Sequence, residues 1–139
     1  MRIPLNQKLV DDPISLDELT ESLVVFDDID QIGDKHIQDA VWNLRNTILE
    51  VGRSKKISII VVAHQITNYK QSRIPLNESE YIIFFSRSGG KHQIKYFLKT
   101  YAGMDKTQIN KVFDVQSRAT VLKKSYPQCI IHQNGAYII

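Results

Sequence analysis

The sequence predicts an α/β fold in which a mostly parallel sheet is flanked by helices. Three observations predict it. Two short β-rich apolar runs, Ser22–Phe26 and Ile57–Ala63, bracket a long stretch with helical spacing. Strand, helix and strand within about forty residues form a βαβ unit, whose strands are parallel and whose crossover is right-handed. A third apolar run, Tyr81–Phe85, is again followed by residues with helical spacing.

Taken in order, residues Met1 to Asp12 have little apolar periodicity and contain Pro4, which suggests an extended lead-in. Ser15-Leu-Asp-Glu18 fits a capping box, so a short helix is expected over Leu16 to Glu21. The run Leu23 to Phe26 then reads as a strand buried on both faces. Asp34 suits an N-cap, and Ile37, Ala40, Val41, Leu44, Ile48 and Val51 recur at three and four until Gly52 stops the helix. Tyr69 to Ser79 is polar, contains Pro75 and reads as a loop. Lys91 to Tyr101 reads as a helix with Ile94, Phe97, Leu98 and Tyr101 on one face. Asp105-Lys-Thr-Gln108 is a second capping box, opening a helix through about Phe113. Ala119–Lys123 reads as a strand, and Gln128–His132 and Ala136–Ile139 flank Asn134-Gly135, a hairpin signal.

The 139 residues are 42% hydrophobic, enough for one compact domain over residues 1–139. A net charge of +3 permits a nucleic-acid partner without demanding one. The single cysteine, Cys129, lies in an apolar run, cannot form an internal disulfide and fits a reducing compartment. No apolar run approaches the ~20 residues of a membrane span, and no signal peptide is visible, so a membrane partner is not expected.

The chemistry concentrates where the first strand ends, at Asp27 and Asp28. In open α/β sheets, ligands bind outside the carboxyl ends of the strands. Of two carboxylates there, one can hold Mg²⁺, which bridges phosphate oxygens, and the other can orient or deprotonate a water. The bland alternative is an acidic loop before the next helix. His64, Gln65, Thr67 and Asn68 follow the second strand and should share the same sheet edge. There a polar group can contact a γ-phosphate oxygen or the attacking water, or merely cap the strand.

A phosphate loop ending in Lys-Ser/Thr has no counterpart before the acidic strand, because Gly33, the first glycine, follows Asp28. Ser86-Arg-Ser-Gly-Gly-Lys91 comes near but has Phe85 where a glycine is required and His92 where Ser or Thr would bind Mg²⁺. It reads as an ordinary loop, with a DNA-phosphate contact as the minority reading.

Asp27-Asp28, the helix, Gly52-Arg53 and the strand ending in His64-Gln65 together resemble the DNA-packaging ATPases of large double-stranded DNA viruses, within the FtsK–HerA group of P-loop ATPases. Phe84-Phe-Ser-Arg-Ser-Gly89, Ile94-Lys-Tyr-Phe-Leu98 and Lys123-Lys-Ser-Tyr-Pro127 look like the giant-virus members. The resemblance covers nearly the whole chain but only the latter part of the family's ATPase domain. It implies a partial RecA-like core, ATP and Mg²⁺ as cofactors, and a place in the virion or the host cytoplasm. It implies Asp27 as the Mg²⁺ ligand, Asp28 as the catalytic base where the family usually has Glu, and Gln65 or His64 as the γ-phosphate sensor. Family members act as rings completed by a neighbour's arginine; Arg53 is the candidate and Arg87 the runner-up.

Without a phosphate loop the chain should show little or no activity alone. It is then a fragment of a longer ATPase or, less favoured, a degenerate paralogue. Partners would be double-stranded DNA, other copies in a ring, or a chain supplying the missing loop. A second hypothesis is a non-enzymatic module docking onto a full-length ATPase, or onto DNA through Lys55, Lys56, Arg87, Lys91 and Lys95. A third, a two-metal nuclease on Asp27, Asp28 and Asp30, lacks a distant set of ligands to complete it.

Overall fold

The structure, a computed structural model, describes residues 2–64, 69–86, 90–127, 129–132 and 135–138, with the backbone alone at 69–70, 129, 132 and 136–138. The chain forms two compact units, residues 1–65 and 66–139.

The first unit holds the predicted βαβ. Helix α1 (Gln7–Asp11) lies within the expected extended lead-in, started by Asn6, whose side chain accepts from the Lys8 amide. The Ser15 capping box forms, with the Ser15 amide donating to Glu18 Oε1 at 2.9 Å and the Glu18 amide to Ser15 Oγ at 3.4 Å. It opens only a 3-10 turn, Asp17–Leu19, because the chain turns away at Thr20. Strand β1 (Leu23–Phe26), helix α2 (Lys35–Val51) and strand β2 (Ser58–Val61) follow. The strands pair in parallel, Leu23 opposite Ser58 and Phe26 opposite Val61. Asp34 caps α2 by accepting from the amides of His36 and Ile37. Gly52 does not stop the chain's winding; it continues in right-handed backbone into a 3-10 turn, Gly52–Lys55, and Lys56 ends it at φ 56°.

Phe26, Val41, Ile48 and Ile57 pack in one core. Strand β1 is not buried on both faces. Val24 and Phe26 turn inward, while Leu23 and Val25 are 59% and 55% exposed, as are Ile60 at 49% and Val62 at 41%. A two-stranded sheet with one crossover helix has one covered face, whereas parallel sheets are ordinarily covered on both. Val51, expected on the inner face of α2, is also exposed.

In the second unit, α3 (Tyr69–Glu78) is a helix where a loop was expected, despite Pro75. The Lys124 ammonium donates to the carbonyls of Leu76 and Asn77, at 2.7 and 2.5 Å, satisfying acceptors that a helix end leaves open. Strand β3 (Tyr81–Phe84), helices α4 (Lys91–Thr100) and α5 (Lys106–Asp114), and strands β4 (Thr120–Lys123), β5 (Cys129–His132) and β6 (Gly135–Ile138) complete it. The sheet order is β3-β4-β5-β6, antiparallel throughout. The mostly parallel sheet is therefore corrected: among the described residues one pairing is parallel and three are antiparallel. One crossover helix returns a chain to the end where the strand began, but two return it to the opposite end. The pair α4 and α5 thus feeds β4 antiparallel to β3.

The Asp105 box closes reciprocally, Gln108 amide to Asp105 Oδ1 at 2.8 Å and Asp105 amide to Gln108 Oε1 at 3.0 Å. Phe97, Leu98, Val112, Leu122 and Ile130 are fully buried and form the core with Phe84. His132 pairs with Gly135, so β6 begins one residue earlier than expected; Gln133 and Asn134 lie outside the described residues.

Candidate functional site

Strand β1 ends at Phe26, and the next two residues part company. Asp28 takes a left-handed backbone, φ 52° and ψ 24°, and leads into a 3-10 turn over Ile29–Gln31. Ile29 is 4% exposed and ties that turn to the core. Because β2 runs parallel to β1, His64 emerges at the same sheet edge, as expected. The structure brings it directly onto Asp28: His64 Nε2 donates to Asp28 Oδ1 at 2.6 Å. Both side chains are about three-fifths exposed. The Asp28 hydrogen bond, and then its charge, raise the His64 pKa above the ordinary value; Asp30 and Asp27 add smaller contributions of the same sign.

Asp27 is exposed and has no hydrogen bond or ion pair among the described residues. No group of three His, Cys, Asp or Glu among them is placed to hold a metal. Mg²⁺ keeps several waters and commonly takes one or two carboxylates besides phosphate oxygens, a donor set that an exposed carboxylate such as Asp27 fits. Asp27 would hold it. ATP is different: no described segment supplies a glycine-rich cradle.

Arg45 was not singled out by the sequence reading. It sits on α2, four residues after Val41 and three before Ile48, and is 3% exposed. Its Nε and Nη2 both donate to Asn46 Oδ1, at 3.1 and 3.0 Å, and its guanidinium lies 6.0 Å from the Trp42 ring centroid. Burial lowers its pKa and the charge of Asp30 opposes that shift. Two basic side chains thus act on different acids of this turn, exposed His64 on Asp28 and buried Arg45 on Asp30. The signal available in the sequence was an arginine at a core-facing helical position.

Arg53 is exposed in the turn before β2, at the strand-start edge, whereas Asp27, Asp28 and His64 stand at the strand-end edge. Four residues of strand separate the two edges, about 13 Å. Lys55 and Lys56, expected as DNA contacts under the second hypothesis, form exposed ion pairs with Asp17 and Glu21, each at 2.6 Å. Lys91 and Lys95 are exposed on α4. Gln65, Thr67, Asn68 and Arg87 lie outside the described residues.

No helix among the described residues is long and apolar enough to cross a membrane. No family model matches the chain, and no solved structure matches it. Among curated proteins it is similar to uncharacterized protein V3 of Sputnik virophage, with 40% identity over 138 residues. That alignment takes in 98% of this chain and 56% of the relative, so the chain spans little more than half the length of the protein it matches.

Proposed function

We propose that this chain is the acidic-strand part of a P-loop ATPase with a RecA-like core, the carboxy-terminal portion of a viral genome-packaging motor that couples ATP hydrolysis to translocation of double-stranded DNA. The observation that carries the reading is the edge of the parallel βαβ unit, where an unpartnered carboxylate, Asp27, stands beside the Asp28–His64 pair. Open α/β sheets bind ligands at that edge. Asp27 would hold Mg²⁺, which when bound neutralises phosphate charge. Asp28 is the general base, and His64, with Gln65 nearby in sequence, orients it and reports the γ-phosphate. Arg53, the candidate arginine, stands exposed at the opposite edge and would serve a neighbour's site in a ring.

The viral relative supports a place in the virion or the host cytoplasm, and its greater length leaves room for a phosphate loop that this chain does not supply. Alone, the chain should have little or no activity; Mg²⁺-dependent hydrolysis by the purified 139 residues would contradict that. The test is calorimetry of Mg²⁺-ATP with the chain, then with the chain mixed with a polypeptide carrying the loop. Binding in the mixture only, abolished by Asp27→Ala, is the expected result. Absence of binding in both would overturn the ATPase reading in favour of a non-enzymatic module. The uncovered apolar face of β1 and β2 favours that second reading, because it offers a surface for docking onto a full-length ATPase.

A further inference from the structure

The charge of this protein is divided unevenly. Residues 1–65 carry seven Lys and Arg against eleven Asp and Glu, a net −4; residues 66–139 carry eleven against four, a net +7. Asymmetry of this kind marks a polyanion partner for the basic part. Within that part the cations have an address. Lys91, Lys95 and Lys99 recur every four residues on α4, about 6 Å apart along one exposed row. Lys106 opens α5 across a cleft of about 580 Å³ that α4 and α5 line together.

None of these four lysines has an ion pair among the described residues, in contrast to Lys55, Lys56 and Lys123. The Lys95 ammonium lies 5.8 Å from the Phe113 ring centroid rather than beside an acid. Asp105, the acid on the cleft wall, is occupied as the α5 N-cap. The floor is apolar, made by Met104 and Ile109, and two rings one helical turn apart, His92 and Tyr96, stand between the lysines. Tyr96 packs edge-on against Tyr101 and still leaves 44% of itself exposed.

We infer that the α4–α5 cleft binds single-stranded nucleic acid, its lysine rim following the phosphates and its rings and apolar floor receiving bases. A duplex presents phosphates and grooves but keeps its base faces stacked, so an apolar floor lined by rings has nothing to receive from it. A single strand offers both a charged backbone and free base faces, and grooves of this composition bind it without sequence preference. The inference does not rest on the ATPase reading, since it needs neither metal nor nucleotide.

The test is fluorescence anisotropy of the full chain with a labelled oligothymidylate and with a duplex of the same length, without Mg²⁺ or ATP. Single-strand binding should be tighter, and should weaken with salt at a log–log slope of about −2 to −3 for three or four neutralised phosphates. Lys95→Gln/Lys99→Gln should weaken it at least tenfold and flatten the slope. Tyr96→Ala should weaken it about five- to a hundredfold with the slope unchanged, as loss of one stacked base would. Lys55→Gln/Lys56→Gln and Asp27→Ala should leave it unchanged, so failure here and failure of the ATPase reading are separable. Circular dichroism verifies that each variant folds; all these side chains are exposed. Equal or tighter binding to the duplex, no binding to either, or indifference to Tyr96→Ala would overturn the inference.

Discussion

Gly52 joins α2 to the turn that leads into β2, and its substitution by alanine sets two effects of opposite sign against each other. Its backbone is right-handed, φ −61° and ψ −23°, so alanine fits without strain. Restricting the unfolded chain would then stabilise by about 0.4–1 kcal/mol. The added Cβ, however, would lie 3.1 Å from Ile48 Cγ2 and 3.4 Å from Ile57 Cβ. Both isoleucines are core residues, 2% and 7% exposed, so neither side chain can swing into solvent. Forcing an extra methyl into such packing costs about 1–3 kcal/mol. The steric effect wins, and Gly52→Ala should destabilise the first unit by about 1 kcal/mol. Gly33 is the control: nothing lies within 4 Å of its would-be Cβ, so Gly33→Ala should be neutral or mildly stabilising. Urea unfolding followed by the fluorescence of Trp42, the single tryptophan and a residue of α2, reads both. A Gly52→Ala midpoint at or above the parent's would refute the packing argument.

The His64–Asp28 pair predicts a pH dependence with a definite sign. The folded pKa of His64 is raised, so the pair's contribution is fully present below the ordinary histidine value and is lost as pH rises through the higher folded value. By NMR, Asp28→Asn should bring the His64 titration back toward the ordinary value, and Asp27→Asn should move it less; an unchanged titration in Asp28→Asn would contradict the assigned cause. Lys124→Met removes the ammonium that satisfies the α3 carbonyls and should cost about 1–2 kcal/mol, seen as a lower urea midpoint by circular dichroism. An unchanged midpoint would mean that water replaces it without loss.

Features set by near neighbours in the chain were legible in the sequence. Asp34 and Asp105 cap their helices through bonds that span two or three residues, and the spacing of α2 and α4 marks most of their buried faces. Features set across long separations were not. The α3 helix looked like a loop because the group that closes it, Lys124, lies 47 and 48 residues from the carbonyls it binds. The antiparallel pairing of β3 depends on two helices returning the chain, which the apolar run Tyr81–Phe85 does not encode by itself. The uncovered face of β1 was read as buried because a continuous apolar run is the same whether one face or both are covered. At the candidate site, the parallel βαβ pattern sufficed to put His64 near Asp28. Their direct bond could not be foreseen, because it depends on the left-handed turn at Asp28.

Under the proposed ATPase reading, in which the second acid is usually Glu, that turn also bears on why position 28 is Asp. A non-glycine residue at φ 52° is unfavourable, and Asp and Asn are among the few that occupy the left-handed region readily, because a short polar side chain can bond locally. Glutamate has no such preference. Its extra methylene would also carry the carboxylate past a partner that already meets Asp28 Oδ1 at 2.6 Å. The short acid, the left-handed backbone and the histidine three residues past β2 therefore form one consistent arrangement. Under the ATPase reading, Asp28 gives up the reach of a Glu and is held in place by a histidine just past the neighbouring strand, while Asp27 stays open for the cation.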